Sequence, residues 1–332
     1  MATEISQIGK MATIERLFEN SGYTNNTKAT FSTGGELTSI QKVFIERIDY
    51  DLTYTPLQHL GYKLSLNLIG ELYARISAPL ALNVNIAISN RFSFEDIRDL
   101  WSGIVAAAKE HNVKNLSLDL IPSHTGLIIT VNAVGEILQK IVGKAPKATA
   151  TDLILLSGNV GAAYMGLHVL EREKVAFQQT PNGVTPPKPK LDKYKYILEQ
   201  YLSPSLSADI IARLQQIETL PSAGYFVTNG LGAAIRQLSL DTGFGAKLYL
   251  EKIPIASKTF EMAKELDMDP ITAAINGGDD YKLLLTIPVT VFELYHKEFQ
   301  EFDIIGHLSS PQEGCSIVTP EGAHLELKAQ GY

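Results

Sequence analysis

One cysteine, Cys315, stands among 332 residues. A lone thiol excludes an intramolecular disulfide and any multi-cysteine zinc or iron–sulfur site, and it fits a reducing compartment. A long apolar run is missing too. The most apolar stretch, Leu64 to Ile88, is interrupted by Glu71, Arg75, Asn83 and Asn85, which makes it too polar for a membrane-spanning helix. Met1 to Asn20 carries Glu4, Lys10, Glu15 and Arg16 at short intervals, so it lacks the apolar core of a signal peptide. These absences predict a cytoplasmic protein. Nor is there a basic excess: 29 Lys and Arg face 36 Asp and Glu, for a net charge of −7. That balance leaves no electrostatic footprint for nucleic acid or an anionic membrane. No Gly-x-Gly-x-x-Gly follows a strand, and no Walker A sequence occurs. The seven histidines contain no i,i+4 pair, so they read as structural or surface residues rather than zinc ligands.

What is present is an ordinary globular composition, 45% hydrophobic and 20% charged. The length predicts two domains, which we place at 1–148 and 149–332. Apolar spacing predicts a helix over Leu57 to Ser77 stopped by Pro79, and a strand over Gln41 to Asp51. Leu80 to Ile88 alternates as a half-buried strand does. Ser93 to Asn112 reads as a helix, with Ser93 and Asp96 spaced as a capping box. In the second half, helices are expected over Ala162 to Arg172, Leu206 to Gln216, Leu231 to Thr242, Ser257 to Leu266 and Val291 to Glu301. Gln178 to Lys190 is rich in proline and reads as a loop. Strands that look antiparallel alternate with these helices, giving an α/β fold of layered helices and sheets.

Three short motifs could carry chemistry. Asn276 to Leu284 reads NGGDDYKLL, a Gly-Gly turn with adjacent carboxylates Asp279 and Asp280 before a strand. Ser157 to Gly166 reads SGNVGAAYMG, a strand, a tight turn and a helix N-terminus whose free N–H groups suit an anion. Tyr225 to Leu231 reads YFVTNGL and by itself is only a turn. Asp119 sits at a strand end, where a lone carboxylate most often caps a loop. Taken singly, each fits plain turn chemistry.

In order, the chain carries ERIDYDLTYTPLQHLGYK, YARISAP, SGNVGAAYMGL, TNGL, GAKLYLEKIPI, NGGDDYKLLLTIP and EGCSIVTPEGAHLELKAQGY. This series resembles the thiamine-monophosphate kinase family over nearly the whole chain. The resemblance implies a two-domain α/β fold of the aminoimidazole ribonucleotide synthetase type. Its N-terminal domain would pair with a second copy to give a homodimer, and its C-terminal domain would be an α/β sandwich. It implies ATP and Mg²⁺ as cofactors, with carboxylates holding the metal around the triphosphate while the γ-phosphoryl passes to thiamine monophosphate.

Carried over by position, the resemblance makes Asp119 the catalytic residue, and Glu71 and Asp119 the metal ligands. Glu71, Lys42, Gly158, Asn159, Gly161 and Asn229 form the nucleotide set. Gly277, Gly278, Asp279, Asp280 and Tyr332 form the substrate set. The departures from the family pattern fall on the acids. Ser21 to Ser32 has no carboxylate where the family has Gly-Asp-Asp-Ala-Ala. Lys42 stands in place of an Asp four residues before Glu46. Phe226, Asn229 and Asn159 replace further acids. Mg²⁺ needs several oxygen ligands in near-octahedral array, and an amide or a lysine supplies no negative charge; Lys42 can instead touch a phosphate as a point charge. The expected function is a noncatalytic or weakly active thiamine-monophosphate kinase-like protein that binds a phosphorylated ligand. The alternative is an active ATP-dependent kinase with a metal site remodelled on Glu71, Asp119 and Asp279 or Asp280. No nucleic-acid or membrane partner is expected.

Overall fold

A computed structural model describes residues 3–137, 146–180, 191–217 and 219–329. Tyr332 and most of the proline-rich stretch lie outside the described residues. The chain divides into two compact units, Met1–Lys140 with Ser207–Ile211, and Ile141–Leu206 with Ala212–Tyr332.

The first unit is a four-stranded sheet covered on one face by helices. Strands β1 (Leu37–Ile45), β2 (Ser77–Ile88), β3 (Asn115–Pro122) and β4 (Leu127–Ile137) are arranged in the order β1-β4-β2-β3. The β1/β4 and β2/β4 pairs are antiparallel, as the strands look from sequence, while the β2/β3 pair is parallel. Helices Leu57–Ala74 and Phe94–Glu110 supply the cover, burying Leu66, Leu68, Leu72, Ile97, Leu100 and Trp101. The Ser93/Asp96 capping box forms as predicted. The helix that begins at Leu57 ends earlier than its apolar spacing suggests. Ile76 adopts a left-handed backbone (φ 52°) and turns the chain, while Pro79 lies inside β2, beside a register shift between Pro79 and Ala81. A bulge is where a strand tolerates proline. The strand expected over Gln41 to Asp51 instead runs from Leu37 to Ile45. Beyond it the Asp49 carboxylate accepts the Ile45 N–H at 2.7 Å, and Arg47 (φ 69°) closes a turn.

The face of this sheet opposite the helices is open among the described residues. A row of side-chain hydrogen bonds crosses all four strands there. Ser117 donates to Asn83 (2.7 Å), Asn83 to Asn132 (3.2 Å) and Asn132 to Ser39 (2.8 Å). Because alternate residues of a strand point to opposite faces, Asp119, two on from Ser117, shares this open face. Lys42, three on from Ser39, faces the helices.

The second unit is a seven-stranded mixed sheet. Its strands are β5 (Leu153–Ser157), β6 (Ala223–Val227), β7 (Gly245–Tyr249), β8 (Lys282–Ile287), β9 (Phe302–Ser309), β10 (Cys315–Val318) and β11 (His324–Glu326). The order is β11-β10-β7-β9-β5-β8-β6, with β10 and β7 parallel. Helices Leu231–Thr242 and Ser257–Leu266 have the predicted bounds. Helix Ala162–Gln178 runs further than expected, Ile210–Gln216 starts later, and Phe292–Glu298 is shorter. Leu156, Val227, Leu231, Ile235, Leu284 and Ile305 share one core. Tyr225 to Val227, read from sequence as part of a turn, belong to strand β6, which pairs along its length with β8.

Candidate functional site

The first unit separates the residues expected to share a metal. Lys42 reaches from β1 to the Leu57–Ala74 helix, where its ammonium donates to Asn67 Oδ1 at 2.6 Å and to Glu71 Oε1 at 3.2 Å. Asn67 and Glu71 stand one helical turn apart, so both side chains reach the same edge strand. Asn67 is buried, and Lys42 and Glu71 are each about one-quarter exposed, at 30% and 23%. Asp119 lies at the other edge of the sheet, on its open face. Its carboxylate pairs with Lys10 of the Lys10–Phe18 helix and accepts the Leu120 N–H at 3.0 Å. Glu71 and Asp119 therefore occupy opposite faces and opposite edges of one sheet. Each already holds an ammonium group.

Lys10 was not singled out by the sequence, and no spacing rule links it to Asp119. Among the described residues no cluster of three or more His, Cys, Asp or Glu side chains could hold a metal ion. The donor set present does not fit the Mg²⁺ cluster that the resemblance implies.

The second unit does the reverse and gathers its predicted residues. Antiparallel pairing brings the end of β5, the start of β8 and the end of β6 to one end of the sheet. The turns at Gly158–Gly161, Thr228–Gly230 and Gly277–Tyr281 meet there. The Asp279 N–H donates to Thr228 O at 2.7 Å and the Tyr281 N–H to Val227 O at 2.9 Å. Gly278 has φ 85°, and a Cβ on it would lie 2.9 Å from Thr228 O, so the turn accepts only glycine without strain. Asp279 and Tyr281 are themselves left-handed, at φ 58° and 54°.

Asp280 turns inward. Only 3% exposed, it accepts the Gly161 N–H at 2.8 Å, at the N-terminus of the Ala162–Gln178 helix. The place at this helix end that the sequence offers to a ligand anion is thus held by the chain's own Asp280 side chain, whose oxygen satisfies one of the free N–H groups there. Its Oδ2 is buried with no hydrogen-bond partner among the described residues. Burial pushes the Asp280 carboxyl well above the ordinary carboxylate range, against the pull of the Gly161 amide and the Lys282 ammonium. Burial likewise lowers Lys282, which Asp280 partly offsets. The Asn159 side chain hydrogen-bonds the Tyr196 hydroxyl, whose pKa is raised by burial and by Asp280. Asn229 is exposed at the rim, while Gly158 has φ 74° in the first turn.

No protein-family model matches the chain. The curated thiamine-monophosphate kinase of Bacillus subtilis (strain 168) is 20% identical over 292 residues, covering 87% of this chain and 85% of its own length. Among solved structures, AaThiL complexed with AMPPCP and TMP superposes with a TM-score of 0.71 at 18% identity, covering 99% of this chain and 98% of that one. Hydrogenase maturation protein HypE in complex with ATP superposes with a TM-score of 0.66 at 16% identity, over 91% of this chain and 88% of that one.

Proposed function

We propose that this chain, which belongs to the thiamine-monophosphate kinase-like branch of the aminoimidazole ribonucleotide synthetase-related family, is a noncatalytic or weakly active member that binds a phosphorylated ligand. The observation that carries the reading is the Lys42–Glu71 pair. A position expected to help hold Mg²⁺ carries an ammonium, and the carboxylate beside it is already neutralised. Phosphoryl transfer is mainly positioning and charge neutralisation by metal, so loss of the metal clamp removes turnover before it removes binding. The AMPPCP, TMP and ATP recorded with structural relatives support a nucleotide or another phosphate ester as the ligand.

A second reading is an active kinase centred on Asp119. It is favoured by the exposure of the Lys10–Asp119 pair, 48% and 47%, because exposed pairs cost only about 0–1 kcal/mol to open. Calorimetry with Mg-ATP and with thiamine monophosphate tests binding, and a thiamine diphosphate assay then separates the two readings.

We propose also that the chain is a homodimer through the open face of the first sheet. Leu37, Val43, Ile45 and Ile121 are large apolar side chains left exposed there. Sheet faces with such a pattern bury it against another layer.

A further inference from the structure

We propose that the Lys42 ammonium is a resident cation that takes the place of a divalent ion beside Glu71, so that this part of the protein works without metal. The inference rests on the phosphorylated-ligand reading and adds to it the charge that replaces Mg²⁺. A carboxylate at position 42 facing Glu71 would form an acidic pair that needs a cation between its members. Lysine at position 42 turns that pair into one that carries its own cation. The ammonium is fixed on two sides, by the Asn67 carbonyl oxygen at 2.6 Å and the Glu71 carboxylate at 3.2 Å. Asn67 is 6% exposed, so its carbonyl is a positioned acceptor and not a surface contact. An ammonium has three donors, and these two bonds leave it one. A second lysine–carboxylate pair, Lys10 with Asp119, stands in a more exposed setting at the other carboxylate expected to bind metal. No third acidic or imidazole ligand completes either position among the described residues.

The test is Mn²⁺ titration of the full chain followed by electron paramagnetic resonance, run beside calorimetry of AMPPCP in Mg²⁺ and in EDTA. The wild-type chain is expected to leave Mn²⁺ free at millimolar concentration and to bind AMPPCP equally, within about twofold, in the two buffers. Lys42→Asp should create Mn²⁺ binding, and Lys42→Met, which removes the charge without adding a ligand, should not. Thermal melts show whether each variant folds, and the wild-type titration decides the matter should a variant fail to fold. Mn²⁺ bound tightly by the wild-type chain, or AMPPCP affinity that rises tenfold or more with Mg²⁺, overturns the inference and leaves the phosphorylated-ligand reading standing. Binding of neither AMPPCP nor thiamine monophosphate in either buffer overturns both.

Discussion

Asp119 and Asp280 show how differently the two units use a carboxylate. Asp119 stands about half exposed on an open sheet face, with an exposed lysine as its partner. Asp280 is enclosed among three turns, anchors a helix N-terminus and sits beside a buried lysine. The first can change partners at little cost, while the second holds the local structure together. The acids that the sequence suggested for chemistry are thus of two kinds. In the second unit the NGGDDY motif is explained by packing, since its backbone closes onto Thr228 and Val227 and the Asp280 side chain onto Gly161. In the first unit Glu71 and Asp119 instead pair with the lysines Lys42 and Lys10.

Substitution separates the two uses most strongly at Asp280. Asp280→Leu leaves the buried Gly161 amide without its acceptor, which should cost about 1–3 kcal/mol. Urea denaturation of the full chain measures this, and a loss below about 1 kcal/mol would remove the anchoring role. A pH titration probes the first unit. His111 is 1% exposed, bonds Tyr73 OH through Nδ1 at 3.0 Å, and is held by burial at a pKa of about 4. The unfolded chain takes up its proton near pH 6.5, so stability from neutral His111 is fully present above that pH. It is lost as the pH falls toward 4, by about 3 kcal/mol in all. His111→Gln should flatten this part of the stability profile, and an unchanged slope would assign the pH dependence to other groups.

The open sheet face makes the next prediction. Sedimentation at micromolar concentration should find a dimer, and Val43→Glu should give a folded monomer by placing a charge on an apolar contact surface. A monomeric wild-type chain would contradict the proposed interface. The smallest effect belongs to Lys10→Met. Breaking an exposed pair should change stability by no more than about 1 kcal/mol, and a larger loss in the same urea experiment would show Asp119 to be as structural as Asp280.

Much of the architecture was legible from local signals. The helix bounds at Leu231–Thr242 and Ser257–Leu266 and the Ser93 cap follow from spacing and capping chemistry. Two short helices, Lys195–Leu202 and Pro270–Asn276, escaped notice because a seven- or eight-residue helix shows barely two turns of periodicity. The second carried a usable signal, since Asp269 caps it and Pro270 occupies its first turn. Strand β6 was obscured by Asn229-Gly230 just beyond it, which drew attention to the turn and away from the apolar residues that pair with β8. At the site, sequence brought out the two glycine turns but not their contact, which depends on strand order. The lysine–carboxylate pairs were hidden for the same reason: Lys42 and Glu71 are 29 residues apart, and only the packing of a helix on an edge strand brings them together.

The central claim is that this chain keeps the scaffold of a phosphoryl-transfer enzyme while its first unit has exchanged metal-binding charge for lysine. The most direct test is thiamine diphosphate formation from thiamine monophosphate at saturating Mg-ATP. The account predicts no turnover, or turnover far below the roughly 1–100 s⁻¹ ordinary for kinases. A rate within that range, abolished by Asp119→Asn, would contradict it and make Asp119 the centre of a working active site.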